Sequence, residues 1–440
     1  MTSPGRPVRL GLFLFATGYH PAGWRLPEAE AAGATSPAFL HRIAQTVERA
    51  KFDYFFLGDG LATSADMQYR YPSQMARLEP FTMMGSIAAA TRRVGLVVTA
   101  NTTYSEPYNV ARMLASLDYL SAGRIAWNVV TGADGRAAAN FGREEHWATD
   151  QRYDRAEEFI TVVRQLWGSW EDGALRWDKS TGEFVAGDKV HAIGHQGQSF
   201  SVSGPLNVPR PPQGWPPLVQ AGTSGRSRDL AARFADIVFT AQPTVGQAQE
   251  FRSDIRARAR ALGRDPDQIA VMPGLVPIVG ETQADAERLY DRMNALVVGD
   301  DRSALFGVAG AKLGEHPFEG PLPAGDGWPD QGHALAEYVE LAEASIGRRV
   351  TSVRELCEFY TASGRGHRLV VGGTARVADL IQEWHGTGAA DGFNICPAYL
   401  PGGLDRFVEL VVPELQRRGI FRRDYEGPTF RAILGLPRPD

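Results

Sequence analysis

The residues best equipped for chemistry in this chain of 440 residues gather where its apolar runs end. The stretch QAGTSG at 220–225 sets small residues between an apolar run and a helical pattern. Small side chains let backbone N–H groups approach an anion, and the helix that follows adds its N-terminal dipole and free donors. Gly222 supplies the room, and Thr223 and Ser224 add hydroxyls. The chemistry is phosphate binding, although a Gly-Ser turn before any helix has a similar pattern. Asn128 and Thr131 stand at the end of the run 125–130, IAWNVV, which lies between Gly123 and Gly132. They fit a ligand site, or equally a capped strand and the start of a turn. Asp59 sits between two glycines after the run 54–57, as a ligand-facing carboxylate or an Asx-turn. His20 and His316 lie in loops, where an imidazole could give or take a proton near neutral pH. An exposed surface position fits a lone loop histidine as well. Tyr153, in DQRYDRAEEF, reads as a ligand contact or as an ordinary helix-face aromatic.

These residues need elements to position them. Short apolar runs at 8–15, 54–57, 94–99, 125–130, 217–220, 236–239, 269–279 and 392–397 read as buried strands. Helical patterns separate them. Ser36-Pro37, for example, opens one whose apolar positions Phe39, Ile43, Val47 and Ala50 recur at helical spacing. The polar residues follow the strands and never the helices, as a barrel requires of its ligand-binding end. The expectation is an α/β fold, a TIM (β/α)8 barrel with insertions after strands 4 and 7, formed by residues 1–440 as a single domain. The insertions fall at about 168–217, with a small hairpin within 183–202, and at about 299–375. A tail, 421–440, is expected to pack outside the barrel.

Composition excludes several classes. With 43% hydrophobic and 22% charged residues the chain can bury a large core, and a formal charge of −5 without a basic block argues against a nucleic-acid footprint. Cys357 and Cys396 lie far apart, outside any metal-ligand spacing, so neither a disulfide framework nor a metal site is expected. The N-terminal apolar stretch is too short for an export or membrane segment, which leads to the expectation of a cytoplasmic protein without membrane partners. No GxGxxG follows a strand and no GxxxxGK[ST] occurs, so no nicotinamide nucleotide site is expected.

The block SLDYLSAGRIAWNVVTG resembles the fourth-strand signature of the bacterial-luciferase-like flavin monooxygenases. The branch that fits best holds nitrilotriacetate monooxygenase, dibenzothiophene-sulfone monooxygenase and the pristinamycin synthase large component. Further ordered blocks carry the resemblance along nearly the whole chain: GLFLFATGYHPAGWR, FDYFFLGDG, RYDRAEEF, GPLNVPRPPQGWPPLVQAGTSG and RRDYEGPTFRAILGLPRP. The resemblance implies FMN, used as FMNH2, with its phosphate at Gly222, Thr223, Ser224 and Tyr153, and with Asp59, Thr102, Asn128 and Thr131 around the cofactor. Relatives usually have His four residues before the tyrosine; here Thr149 stands there, and His146 is near enough to substitute. Gly132 likewise stands where relatives commonly have Ser. His20 resembles a substrate-pocket residue, and His20 and His316 become the catalytic candidates. Trp24, Phe13 and Phe56 would line an apolar pocket beside the ring, or belong to the core.

The resemblance further implies an oxygenase that uses O2 on a small organic substrate, by C–S or C–N bond cleavage or heteroatom or imine oxidation. Without a nucleotide fingerprint it would receive reduced flavin from a separate NAD(P)H:flavin reductase. A homodimer or homotetramer is expected. Two alternatives keep the fold: an F420-dependent oxidoreductase, and a non-catalytic flavin-binding protein.

Overall fold

The computed structural model describes residues 6–69, 72–298, 316–322, 335–364 and 366–439. Residues 299–315 and 323–334 of the expected insertion at about 299–375 therefore lie outside the described residues. Eight parallel strands close a barrel: β1 (Arg9–Leu14), β2 (Tyr54–Leu57), β3 (Gly95–Asn101), β4 (Ile125–Val130), β5 (Leu218–Ala221), β6 (Ile237–Thr240), β7 (Ala270–Gly280) and β8 (Gly392–Ile395). Neighbours in sequence are neighbours in space, and β8 returns to β1 in the register Arg9↔Gly392 to Leu12↔Ile395. The strands are short and apolar because both faces are covered; every residue of β2 and β3 is buried. Helices join them as the caps demand. Ser36 Oγ accepts a hydrogen bond from Phe39 N at 3.3 Å, with Pro37 opening the helix Pro37–Arg49.

Register decides which side chains share the interior. Phe13 lies beside Phe56, Asn128 beside Thr99 and Val219, Ala221 beside Phe239, and Gly274 beside Asn394. At the N-terminal end Tyr54 Oη donates to Asn394 Oδ1 at 2.6 Å, and the interior there is filled.

Two features differ from the sequence reading. A further strand, Arg368–Gly373, pairs in parallel with the outer half of β7, from Arg368↔Leu275 to Gly373↔Gly280, where only helices were expected. β7 runs eleven residues, and β8 accompanies it only at Gly274 and Leu275. Beyond that point the exposed edge of β7 would carry unpaired N–H and C=O groups, and the extra strand satisfies them. The C-terminal tail, expected outside the barrel, instead seals its N-terminal end. Phe430 is fully buried, edge-on to Tyr54 with centroids 5.9 Å apart, over Gly95, where any Cβ would collide with its ring. Arg422 reaches the buried carboxylate of Asp53 at 2.6 Å.

The excursion between the helix Thr149–Trp167 and β5 holds a small antiparallel pair, His195–Gln196 with Ser201–Val202. Glu158 clamps it, accepting from Ser199 N at 2.8 Å and Phe200 N at 3.0 Å. Among the described residues, no helix is long and apolar enough to cross a membrane.

Candidate active site at the barrel mouth

The turn after β5 has the form of an anion cradle. Gly222 adopts φ +143°, and a Cβ there would run into Ser227 Oγ, so glycine is required. Gln220 braces the turn from behind: Nε2 donates to Ser227 Oγ at 2.7 Å and to Ala221 O at 2.8 Å, while Oε1 stays buried with no partner among the described residues. Ser224 is the N-cap of the helix Gly225–Phe234, its Oγ accepting from Ser227 N at 3.3 Å. Thr223, Ser224 and Gly225 are exposed, so the donors of the first helical turn are open to a ligand.

The helix Thr149–Trp167 supplies the neighbouring wall. Tyr153 is buried, and the Arg226 guanidinium lies 5.8 Å from its ring centroid while pairing with Asp154 at 2.5 Å. Thr149 stands one turn before Tyr153 on the same helix face and accepts a hydrogen bond from Arg152 Nη2 at 3.0 Å. His146 is committed elsewhere. Its Nε2 meets Gly132 O at 3.0 Å and its Nδ1 meets Tyr104 Oη at 2.6 Å, which makes Nε2 the protonated nitrogen.

The ends of β3 and β4 are knitted together by short polar side chains. Asn101 Oδ1 accepts from Thr103 N at 2.7 Å and Tyr104 N at 3.1 Å. Thr102 is fully buried and donates from Oγ1 to Val130 O at 3.3 Å, so its hydroxyl serves as a strut. Thr103 Oγ1 donates to the carbonyl of Thr131 at 2.7 Å. Gly132 has φ +65°, and a Cβ on it would collide with Asn101 Nδ2, which accounts for glycine at this position. Asn128 Nδ2 donates to Thr99 Oγ1 at 3.0 Å, whereas its Oδ1 is buried without a partner among the described residues. Such an atom costs about 1–3 kcal/mol unless something donates to it. Asp59 lies across the mouth with its Oδ1 3.7 Å from Arg77 Nε. Burial raises its carboxyl above the usual range, an effect that the Gly60 N–H and the Arg77 charge partly offset.

Aromatic rings fill the opening. Phe13 packs on Phe56 at 4.7 Å and on Phe239 at 4.9 Å between centroids, and Phe15 and Tyr19 extend the group. Of the expected apolar trio, Phe13 and Phe56 belong here. Trp24 lies apart, lining a separate cavity of about 660 Å³ with Tyr69, Met75 and Leu296. Phe239, Tyr19 and His367 join the group without having been expected. His367 had one sequence signal, its place directly before the apolar run RLVVGG.

His20 is not exposed at all. Nδ1 accepts from Ala22 N at 3.2 Å, so Nε2 carries the proton and donates to Asn294 Oδ1 at 3.0 Å. Burial depresses its pKa to about 4, only partly countered by the Asn294 bond, and the ring is neutral at pH 7. Proton handling by this ring would first require the Asn294 bond to break. His316 opens the described stretch 316–322 and is half-buried. Among the described residues no group of three or more His, Cys, Asp or Glu side chains is placed to hold a metal ion.

A family model described as luciferase-like monooxygenase matches residues 13–391. N-acetyl-S-(2-succino)cysteine monooxygenase of Bacillus subtilis (strain 168) is 43% identical, over 100% of this chain and 99% of its own. Nitrilotriacetate monooxygenase component A of Aminobacter aminovorans is also 43% identical, over 99% of this chain and 97% of its own. Among solved structures, EDTA monooxygenase from Chelativorans sp. BNC1 superposes with a TM-score of 0.80 at 33% identity, covering 98% of this chain and 99% of that one.

Proposed function

Because the chain belongs to the luciferase-like monooxygenase family and is a flavin-dependent monooxygenase, we propose that it is the oxygenase component of a two-component system. It takes FMNH2 from a separate NAD(P)H:flavin reductase in the cytoplasm and uses O2 to oxygenate a small organic molecule. The observation that supports this reading is the sharing of one barrel mouth by an anion cradle and a buried acceptor, Asn128 Oδ1, that has no partner among the described residues. A flavin mononucleotide has the matching groups, a phosphate dianion and ring N–H donors. Gly222, Thr223, Ser224 and Tyr153 hold the phosphate, with Thr149 as the nearest side chain of the same helix face. Asn128 orients the ring, and Asp59, Thr102 and Thr131 shape the walls of its seat. When bound, reduced flavin supplies the electron pair that activates O2; one oxygen atom enters the substrate and the other leaves as water. The rings of Phe13, Phe56 and Phe239 keep bulk water from the reacting centre.

The component designation of the nitrilotriacetate enzyme supports a partner reductase. The relatives are monooxygenases, which favours oxygen transfer over hydride transfer by a deazaflavin and over cofactor storage. The test combines purified protein with a flavin reductase, NADH, FMN and O2, and follows oxygenated products from a panel of thioethers, sulfones and tertiary amines. Tight FMNH2 binding with no product from any member would count against the oxygenase role.

A further inference from the structure

The loop that follows β1 has two faces. Phe15 and Tyr19 join the rings of the mouth, whereas Thr17, Pro21 and Ala22 line the separate cavity of about 660 Å³. The loop is anchored between them: Thr17 N donates to Ser73 Oγ at 2.9 Å, and the enclosed His20 ring ties it to Asn294. Small-molecule sites run to about 300–1,000 Å³, and this cavity falls within that range. Four of the eleven large apolar side chains exposed among the described residues line it: Trp24, Tyr69, Met75 and Val298. Single exposures of this kind are ordinary, but a cluster of them around a concave surface marks a place where something binds. Among the described residues of the lining one side chain is charged, Arg25. Its Nη1 donates to Leu296 O, which anchors the guanidinium, and no carboxylate among the described residues pairs with it. The acids that follow it in the chain are already engaged, Glu28 with Arg292 at 3.2 Å and Glu30 with Arg42. The Nε and Nη2 edge of Arg25 therefore has no acceptor among the described residues.

We propose that this cavity is a second binding site, distinct from the mouth, for an apolar monocarboxylate. The carboxylate takes the open edge of Arg25 in two parallel N–H···O bonds, and the hydrocarbon part lies against Trp24, Met75 and Leu296. Three features select this chemistry. A planar guanidinium with two adjacent N–H groups matches the two oxygens of a carboxylate. A lining with one cation and no acid balances a single negative charge; a dianion would leave its second charge unpaired beside apolar walls. Hydrocarbon leaving water against those walls supplies the remaining affinity. The site rests on its own observations and not on the flavin reading of the mouth.

The test titrates the full chain calorimetrically with octanoate and with its neutral analogue octanamide. Wild type is expected to bind one octanoate per chain, about tenfold or more tightly than octanamide, as a charge-assisted pair provides. FMN is expected neither to displace the acid nor to be displaced by it. Arg25→Gln is expected to lose the preference and keep the octanamide affinity. Arg25→Lys is expected to recover part of the preference, since it restores the charge without the fork. Met75→Glu sets a carboxylate into the lining; it is expected to weaken octanoate more than octanamide, and serves if Arg25→Gln folds poorly. Equal affinity for the two probes in wild type, no binding, competition with FMN, or an unchanged preference in Arg25→Gln and Met75→Glu would overturn the proposal. So would light scattering that showed Met75→Glu splitting an oligomer, because a second copy of the chain would then cover the cavity.

Discussion

His20 shows how far burial alters the meaning of a residue. A histidine in a loop after the first strand suggests a mobile acid–base group, yet here the ring is enclosed, single in its tautomer and neutral. The linkage has a definite sign. The unfolded chain protonates His20 near 6.5, whereas the folded chain resists until about 4. Stability is therefore full above about pH 6.5 and falls as the pH drops toward 4, by up to about 3 kcal/mol from this one group. His20→Ala removes that dependence and, at pH 7, leaves the Ala22 N–H and Asn294 Oδ1 without their partner, at a cost of about 1–3 kcal/mol. Urea denaturation at pH 7 and pH 5 is expected to show the gap between wild type and variant narrowing at the lower pH. Other titrating groups cancel in the difference, so parallel losses in both proteins would contradict the burial argument.

At the scale of the element, the decisive unit is the β5 turn and the helix it opens. The phosphate seat proposed there would draw on backbone donors and a dipole, and both are local to Gly225–Phe234. Ser224→Asp preserves the cap, since aspartate is as good an N-cap as serine, and it places a carboxylate in the proposed phosphate seat. FMN affinity is expected to fall by about tenfold or more at low salt, and the deficit to shrink at 0.5 M salt as screening grows. Fluorescence quenching of FMN at two ionic strengths measures both effects. Unchanged affinity would remove the phosphate from this turn.

For the whole molecule, the barrel divides its labour between two ends. The C-terminal mouth carries the proposed site, and the N-terminal end is closed by the tail. Phe430→Ala empties a fully buried position and is expected to cost about 3–5 kcal/mol of stability. FMN affinity, measured on the folded fraction, is expected to stay the same, because the cradle lies at the opposite end; a matching loss of affinity would mean that the two ends are coupled. We also propose a homodimer or homotetramer in solution. Light scattering after size exclusion tests it, and a single species at 48.0 kDa would exclude it.

The order of strands and helices was readable from the chain alone because its signals are local. Apolar runs such as IAWNVV, the caps at Ser36 and Ser224, and the glycines of QAGTSG each state their conformation within a few residues. The places where polar groups must cluster followed, since a parallel barrel exposes the ends of its strands at one mouth. Pairing and enclosure depend on residues far apart, and only the tertiary structure decided them. His20 meets Asn294 across 274 positions, and no nearby residue announces that it will be buried. Arg368–Gly373 became a strand because β7 outruns β8 and needs an edge partner, a fact about β7 that the run RLVVGG does not contain. That same strand sets His367 above Gly274 and stacks it on Phe239.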